Sequence, residues 1–280
     1  MFMIWRGGVY VSKMAVYFDL FGIKIPAYGT MALIGLLVAM TAAVHYAKVY
    51  YIPVIDVLYS ACYGSLGLII GAKLFYALPF LPELMHMIGT EGFLGISRHI
   101  REILLQMFAG YVFYGGLIGI IAGIAFYTHY RRLPMLVFAN VLAIVIPLFH
   151  GFGRIGCFLA GCCYGKEYHG PFAVTFPKNP YEPDIELTER FPVQLLESVC
   201  NFLLFAVLAV YGRKPREAGR LMGIYLTAYP VIRFCTELLR GDEIRGVINI
   251  GAFEISTSQI ISLLLLPCGI LLYRQSKKNK

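Results

Sequence analysis

Residues 133–165 read LPMLVFANVLAIVIPLFHGFGRIGCFLAGCCYG, and the first seventeen carry no ionisable side chain. A helix needs about 20 mostly apolar residues to cross the hydrocarbon of a bilayer. Positions 133–155 supply such a run, and Arg154 lies at its end. Six more stretches of the same kind lie at 26–47, 57–81, 110–130, 193–211, 221–239 and 255–273. The whole composition agrees with them: 59% of residues are hydrophobic and 14% charged, against about 25% charged in a typical soluble domain. Mean hydropathy is +0.70. No soluble interior built from 280 residues can bury that much apolar sequence, and a disordered chain would not contain it. The expected fold is an all-α integral membrane protein of about seven transmembrane helices, forming a single polytopic membrane domain over 1–280.

The net charge of +8 would suggest nucleic acid in a soluble chain. Here the positive residues sit between apolar spans, where they set orientation and meet anionic headgroups, so no nucleic-acid partner is expected. Lys48 follows the first span, Arg131 and Arg132 the third, and Arg213, Lys214, Arg216 and Arg220 the fifth. Arg274, Lys277, Lys278 and Lys280 end the chain. Short basic connections face the cytoplasm, which puts the N-terminus outside and the C-terminus in the cytoplasm. Segments 82–109 and 156–192 then become extracytoplasmic loops or interfacial segments, with an amphipathic interfacial helix expected at 97–108. Residues 1–24 mix Arg6, Lys13, Asp19 and Lys24 with aromatics and read as interfacial, not as a cleavable signal. Gly67 and Gly71, and Gly115, Gly119 and Gly123, recur at four-residue spacing, the pattern of closely packed helices.

Ionisable residues inside a span are costly and need a reason. Lys73 can snorkel to the headgroups. Glu197 lies early in the fifth span, three residues after Gln194. In the sixth span Tyr229, Arg233, Glu237 and Arg240 share one helix face by their spacing. The densest place is 150–165, where His150, Arg154 and Cys157, Cys162 and Cys163 stand among five glycines. Those glycines predict a weakened helix, and broken backbone at membrane depth belongs beside protein or a polar cavity. A guanidinium suits phosphate or carboxylate, so Arg154 and Arg233 could clamp an anionic lipid headgroup from two helices.

These residues also carry a family resemblance. GRIGCFLAGCCYG resembles the signature of prolipoprotein diacylglyceryl transferases, whose usual form is near GRxGNFxNGExxG. Tyr28-Gly29, YGGLIG at 114–119, FPVQLLES at 191–198, YPVIRFCTELLR at 229–240 and STSQIISL at 256–263 are similar to other family segments in the same order. The resemblance implies transfer of a diacylglyceryl group from phosphatidylglycerol to the lipobox cysteine of a preprolipoprotein, with glycerol phosphate released. It implies a multi-pass enzyme of the bacterial cytoplasmic membrane, with its active site toward the outer face. Its partners would be phosphatidylglycerol, the preprolipoprotein signal-peptide region and membrane lipids, without a cofactor or a family metal. Arg154 and Arg233 would bind the phosphate and stabilise the leaving group, and Arg240 and Glu237 would hold the adjoining network. Gly153, Gly156, Gly161 and Gly165 would shape lipid entry. Tyr28, Gln194 and Glu197 would line the cavity, with Gly115 and Gly116 in the matching glycine pair.

Three departures from that pattern bear on chemistry. The family's histidine before the glycine pair is Tyr114, and its signature Asn and Glu are Cys157 and Cys162. Tyrosine is a poor base at neutral pH, which makes His150, four residues before Arg154, a second candidate for activating a thiol. Cys157, Cys162 and Cys163 are open to four readings: small buried apolar residues, an oxidised pair, zinc ligands with His150 or His169, or a covalent carrier of the lipid. Seven cysteines, mostly within apolar segments, do not form a disulfide framework. Other functions consistent with the residues are a paralogous phospholipid-dependent transferase with another acceptor, a membrane transporter, and a thiol-redox protein.

Overall fold

The apolar runs form helices, and small β-elements lead into two of them. The computed structural model describes residues 2–5, 8–11, 17–20, 22–82, 85–86, 112–176, 178, 186–241, 247–250 and 253–278. The helices are α1 (Ala27–Val49), α2 (Val54–Ala77), α3 (Phe113–Tyr130), α4 (Met135–Ala160), α5 (Val193–Tyr211), α6 (Arg220–Glu237) and α7 (Thr257–Lys278). Among the described residues five helices are long and apolar enough to cross a membrane, namely α1, α2 with the 3-10 turn after it, α4, α5 and α7. Exposed Leu33, Leu36 and Leu37 on α1 and Leu203, Val207 and Val210 on α5 present apolar side chains outward, as lipid-facing surfaces do. The segment 97–108, read as an interfacial helix, lies outside the described residues.

The chain divides into two compact units, residues 52–135 and the remainder. In the first, α2 and α3 pack antiparallel with backbones in close approach. Gly67 faces Gly119, Gly71 faces Gly115, and Gly123 faces Tyr63. A methyl group added at Gly119 would strike the Gly67 carbonyl, and one at Gly123 the Tyr63 carbonyl. The four-residue glycine spacing is therefore the seam of this pair. Gly119→Val is expected to cost about 1–3 kcal/mol by overpacking. Thermal unfolding in detergent checks it, and an unchanged midpoint would show that the pair separates without penalty. At one end of the seam, buried Asp56 accepts a hydrogen bond from Tyr127 at 2.6 Å, and Arg131 lies 3.8 Å from the same oxygen.

In the second unit α4 runs through Gly151, Gly153 and Gly156 to Ala160, so the break expected over 150–165 is confined to 161–165. Each glycine costs a helix about 1 kcal/mol, but here tertiary contact uses the missing side chains. A Cβ at Gly151 would come within 2.6 Å of the Phe202 ring on α5, and one at Gly156 within 3.1 Å of Tyr28 on α1. Ser198 Oγ on α5 also donates to the Gly151 carbonyl at 2.9 Å. At the other end of α4, fully buried Asn140 donates to Glu217 O and accepts from Leu221 N, both at 2.9 Å. That side chain fixes the start of α6 to the first turns of α4.

The all-α expectation is corrected by short β-elements. β1 (Phe2–Trp5) and β2 (Gly8–Val11) pair antiparallel, β2 runs parallel to β5 (Val174–Thr175), and β5 pairs antiparallel with β6 (Glu189–Arg190). β3 (Tyr17–Leu20) and β4 (Ile23–Pro26) form a hairpin directly before α1. β7 (Val247–Ile250) and β8 (Phe253–Ser256) form another before α7. These segments are too short to span a bilayer, and pairing satisfies their backbone groups. Ser256 and Gln259 then start α7 with reciprocal side-chain to backbone bonds of 3.2 and 3.0 Å, a capping box.

Candidate active site

Three helices of the second unit each contribute ionisable groups to one buried cluster. α5 brings Glu197, 3% exposed, because it lies one turn into the helix on the face that also buries Gln194, Ser198 and Asn201. α4 brings Arg154 and α6 brings Arg233. The Glu197 carboxylate receives both arginines: Arg154 Nε pairs with Oε2, and Arg233 Nη1 donates to Oε1 at 2.6 Å. Thr236 Oγ1 donates to Oε1 at 3.1 Å. On its other edge Arg233 Nη2 pairs with Glu237 Oε2 at 2.5 Å and donates to Ser258 Oγ at 3.0 Å. Arg240 Nη1 approaches Glu237 Oε2 at 3.9 Å. Three arginines against two glutamates sum to +1 in this group of five.

An excess positive charge in a low-dielectric site favours an anion. Arg154 is the member with capacity left. Its Nε faces Glu197 and its Nη1 meets only the Cys157 sulfur, at 3.9 Å. Among the described residues Nη2 has no hydrogen-bond partner. Beside it in sequence, Gly153 opens on free space, since a Cβ there would meet nothing within 4 Å. A forked donor with an open flank is suited to a phosphate.

The end of α4 brings the cysteines together. Cys162 N donates to Cys157 O at 3.2 Å and Gly161 N to Phe158 O at 3.1 Å, with Gly161 at φ 73°. This is a Schellman end, and only glycine takes the left-handed position without a steric cost. The Cys157, Cys162 and Cys163 sulfurs all lie within 4.8 Å of one another. Beyond α4, hydrogen bonds from the Cys157 and Cys162 thiols hold Cys163 well below the usual thiol range, and Arg240 and Arg154 add to the effect. The next residues are tied down by backbone: Gly165 N donates to Phe191 O at 3.0 Å, Lys166 N to Leu239 O at 2.9 Å, and Gly241 N to Tyr164 O at 3.1 Å. A Cβ at Gly165 would strike the Phe191 carbonyl, so this position is a packing contact. Gln194 Nε2 donates to Cys162 O at 2.9 Å, joining α5 to the same turn.

The structure thus brings together Arg154, Arg233, Glu197, Glu237, Arg240, Gln194 and the three cysteines. Tyr28 packs against the cluster's helix at Gly156 and is 47% exposed. The His150 ring lies 5.5 Å from the Tyr229 ring, centroid to centroid. Tyr114, Gly115 and Gly116 stand on α3 in the other unit, where Gly115 contacts Gly71 and Phe75, and Gly116 contacts Ala72 and Leu68. Thr236 and Ser258 join the network without having been singled out in the sequence. Ser258 lies on α7, and no spacing rule connects it with Arg233 on α6.

The geometry can be set beside known proteins. The profile of the prolipoprotein diacylglyceryl transferase family matches residues 15–274. A phosphatidylglycerol–prolipoprotein diacylglyceryl transferase of Clostridium tetani is 34% identical over 266 residues, covering 95% of this chain and 98% of that protein. A second protein of that name, numbered 2, from Clostridium perfringens is 39% identical over 168 residues, 60% of this chain and 63% of its own. Another from Idiomarina loihiensis is 31% identical over 219 residues, 78% of this chain and 75% of its own. The matched region contains every helix that builds the arginine–glutamate cluster, and the chain belongs to the prolipoprotein diacylglyceryl transferase family.

Proposed function

We propose that this chain transfers a diacylglyceryl group from phosphatidylglycerol to the lipobox cysteine thiol in the signal-peptide region of a preprolipoprotein, releasing glycerol phosphate. The observation that carries this reading is Arg154, tethered to Glu197 through Nε with its outer donors beside an open glycine flank. In the reaction the acceptor thiol loses its proton and its sulfur attacks the glyceryl carbon that bears the phosphate. The S–C bond forms as the C–O bond breaks, and the electron pair leaves on the phosphate of glycerol phosphate. Charge growing on that leaving oxygen is what a preorganised guanidinium stabilises. Arg154 holds the phosphate, and Arg233 holds Glu197 and Glu237 in place. His150 and Tyr114 are the two candidates for taking the thiol proton.

All seven helices span the bacterial cytoplasmic membrane in this reading. The N-terminus is outside, the C-terminus is cytoplasmic, and the site faces outward, where the substrate cysteine emerges. Lys48 in the last turn of α1 and the basic connections after α3 and α5 support that direction. α6 is included although Arg220, Arg233 and Glu237 charge it, since Arg233 and Glu237 are paired within the protein.

The test uses purified protein in detergent with phosphatidylglycerol and a synthetic lipobox peptide, followed by mass spectrometry. A diacylglyceryl mass increment on the peptide cysteine with stoichiometric glycerol phosphate is the expected result. Its absence, with glycerol phosphate still released, would show a different acceptor. His150→Ala and Tyr114→Phe run alongside, and the variant that loses turnover while keeping lipid binding identifies the base.

A further inference from the structure

Cys157, Cys162 and Cys163 converge through backbone geometry that the proposed transfer does not require. Cys157 and Cys162 occupy the two positions of a Schellman end whose side chains commonly touch, usually as an apolar pair. Here both are thiols. Cys163 follows at φ 60°, a left-handed conformation that costs a non-glycine residue about 1–3 kcal/mol. That conformation brings a third sulfur within 4.8 Å of the other two. Cys162 and Cys163 are partly accessible, so an ion can reach the group.

The spacing fits one class of ligand. Thiolates around a d10 cation at about 2.3 Å stand roughly 3.8 Å apart in tetrahedral geometry. Small χ1 adjustments bring sulfurs within 4.8 Å to that separation. We propose that Cys157, Cys162 and Cys163 form a three-thiolate site for a soft d10 metal ion of the Zn²⁺ or Cu⁺ class at the C-terminal end of α4. Each metal–sulfur bond forms at a thiolate sulfur, any thiol proton still present passes to solvent, and nothing is oxidised. The fourth position is left to water, as in open zinc sites with three protein ligands. Arg154 Nη1, 3.9 Å from the Cys157 sulfur, supplies an outer-shell donor to one thiolate.

Co²⁺ is the probe, because sulfur-to-cobalt charge transfer is visible only where thiolates bind. Full-length protein in detergent with a non-thiol reductant is titrated, both as the natural chain and with Cys62→Ala, Cys200→Ala, Cys235→Ala and Cys268→Ala combined. One equivalent of Co²⁺ with charge-transfer absorption, displaced by equimolar Zn²⁺, is expected in both. Cys162→Ser and Cys163→Ser should each weaken binding by more than the about 10–100-fold that loss of a supporting outer partner costs. Absorption that survives Cys162→Ser in the natural chain would overturn the assignment, as would its absence from the chain with the three cysteines intact.

Discussion

Arg154→Ala is expected to lower diacylglyceryl transfer by about 10²–10³-fold, the loss typical of removing one preorganised donor from a developing anion. The fold should survive. Glu197 keeps Arg233 at 2.6 Å and Thr236 at 3.1 Å, so truncation leaves no buried carboxylate unpaired. Arg154→Lys retains the charge but not the fork, so it should fall between the two, since Nε and the terminal nitrogens act on different partners. The peptide assay at saturating phosphatidylglycerol, with a thermal melt beside it, separates chemistry from stability. Turnover within about tenfold of the natural protein, equivalent to about 1.4 kcal/mol, would remove Arg154 from the leaving-group site.

The sequence was most legible where periodicity decides. Apolar runs located the helices, and i, i+4 spacing put Arg233 and Glu237 on one face, where they pair at 2.5 Å. Spacing assigns faces but not partners on other helices. The sharing of Glu197 by Arg154 and Arg233 therefore required the packing of α4, α5 and α6. Gly151 and Gly156 misled for a related reason. Propensity charges each one against the helix, whereas Phe202 and Tyr28 occupy the space left at Gly151 and Gly156. Where the helix does end, one left-handed glycine sets the positions of two cysteines, and no local pattern separates that role from the other glycines nearby. The hairpins before α1 and α7 were hidden because their four-residue strands give only two periods of alternation and abut the long apolar runs that dominate the reading.

The largest stability loss is expected from Glu197→Ala. Removing one partner of a buried ion pair costs about 3–5 kcal/mol, because the remaining charge is stranded. The burden is unequal between the two arginines. Arg233 retains Glu237 at 2.5 Å and Ser258 at 3.0 Å, whereas Arg154 retains only the Cys157 sulfur at 3.9 Å. The group would pass from three arginines and two glutamates to three and one, a net +2. Adding Arg154→Ala to Glu197→Ala should therefore recover part of the lost stability, a coupling that an additive pair of contacts would not produce. Phosphatidylglycerol in the micelle should raise the melting temperature of the single Glu197→Ala variant more than that of the natural protein, because the lipid phosphate supplies the missing counter-charge to the folded state alone. Equal lipid shifts in the two proteins, with no recovery in the double variant, would mean that Glu197 acts as a hydrogen-bond acceptor and not as the counter-ion of Arg154. Glu197→Gln would then match the natural protein in stability, whereas a counter-ion role requires it to lose most of what the alanine variant loses.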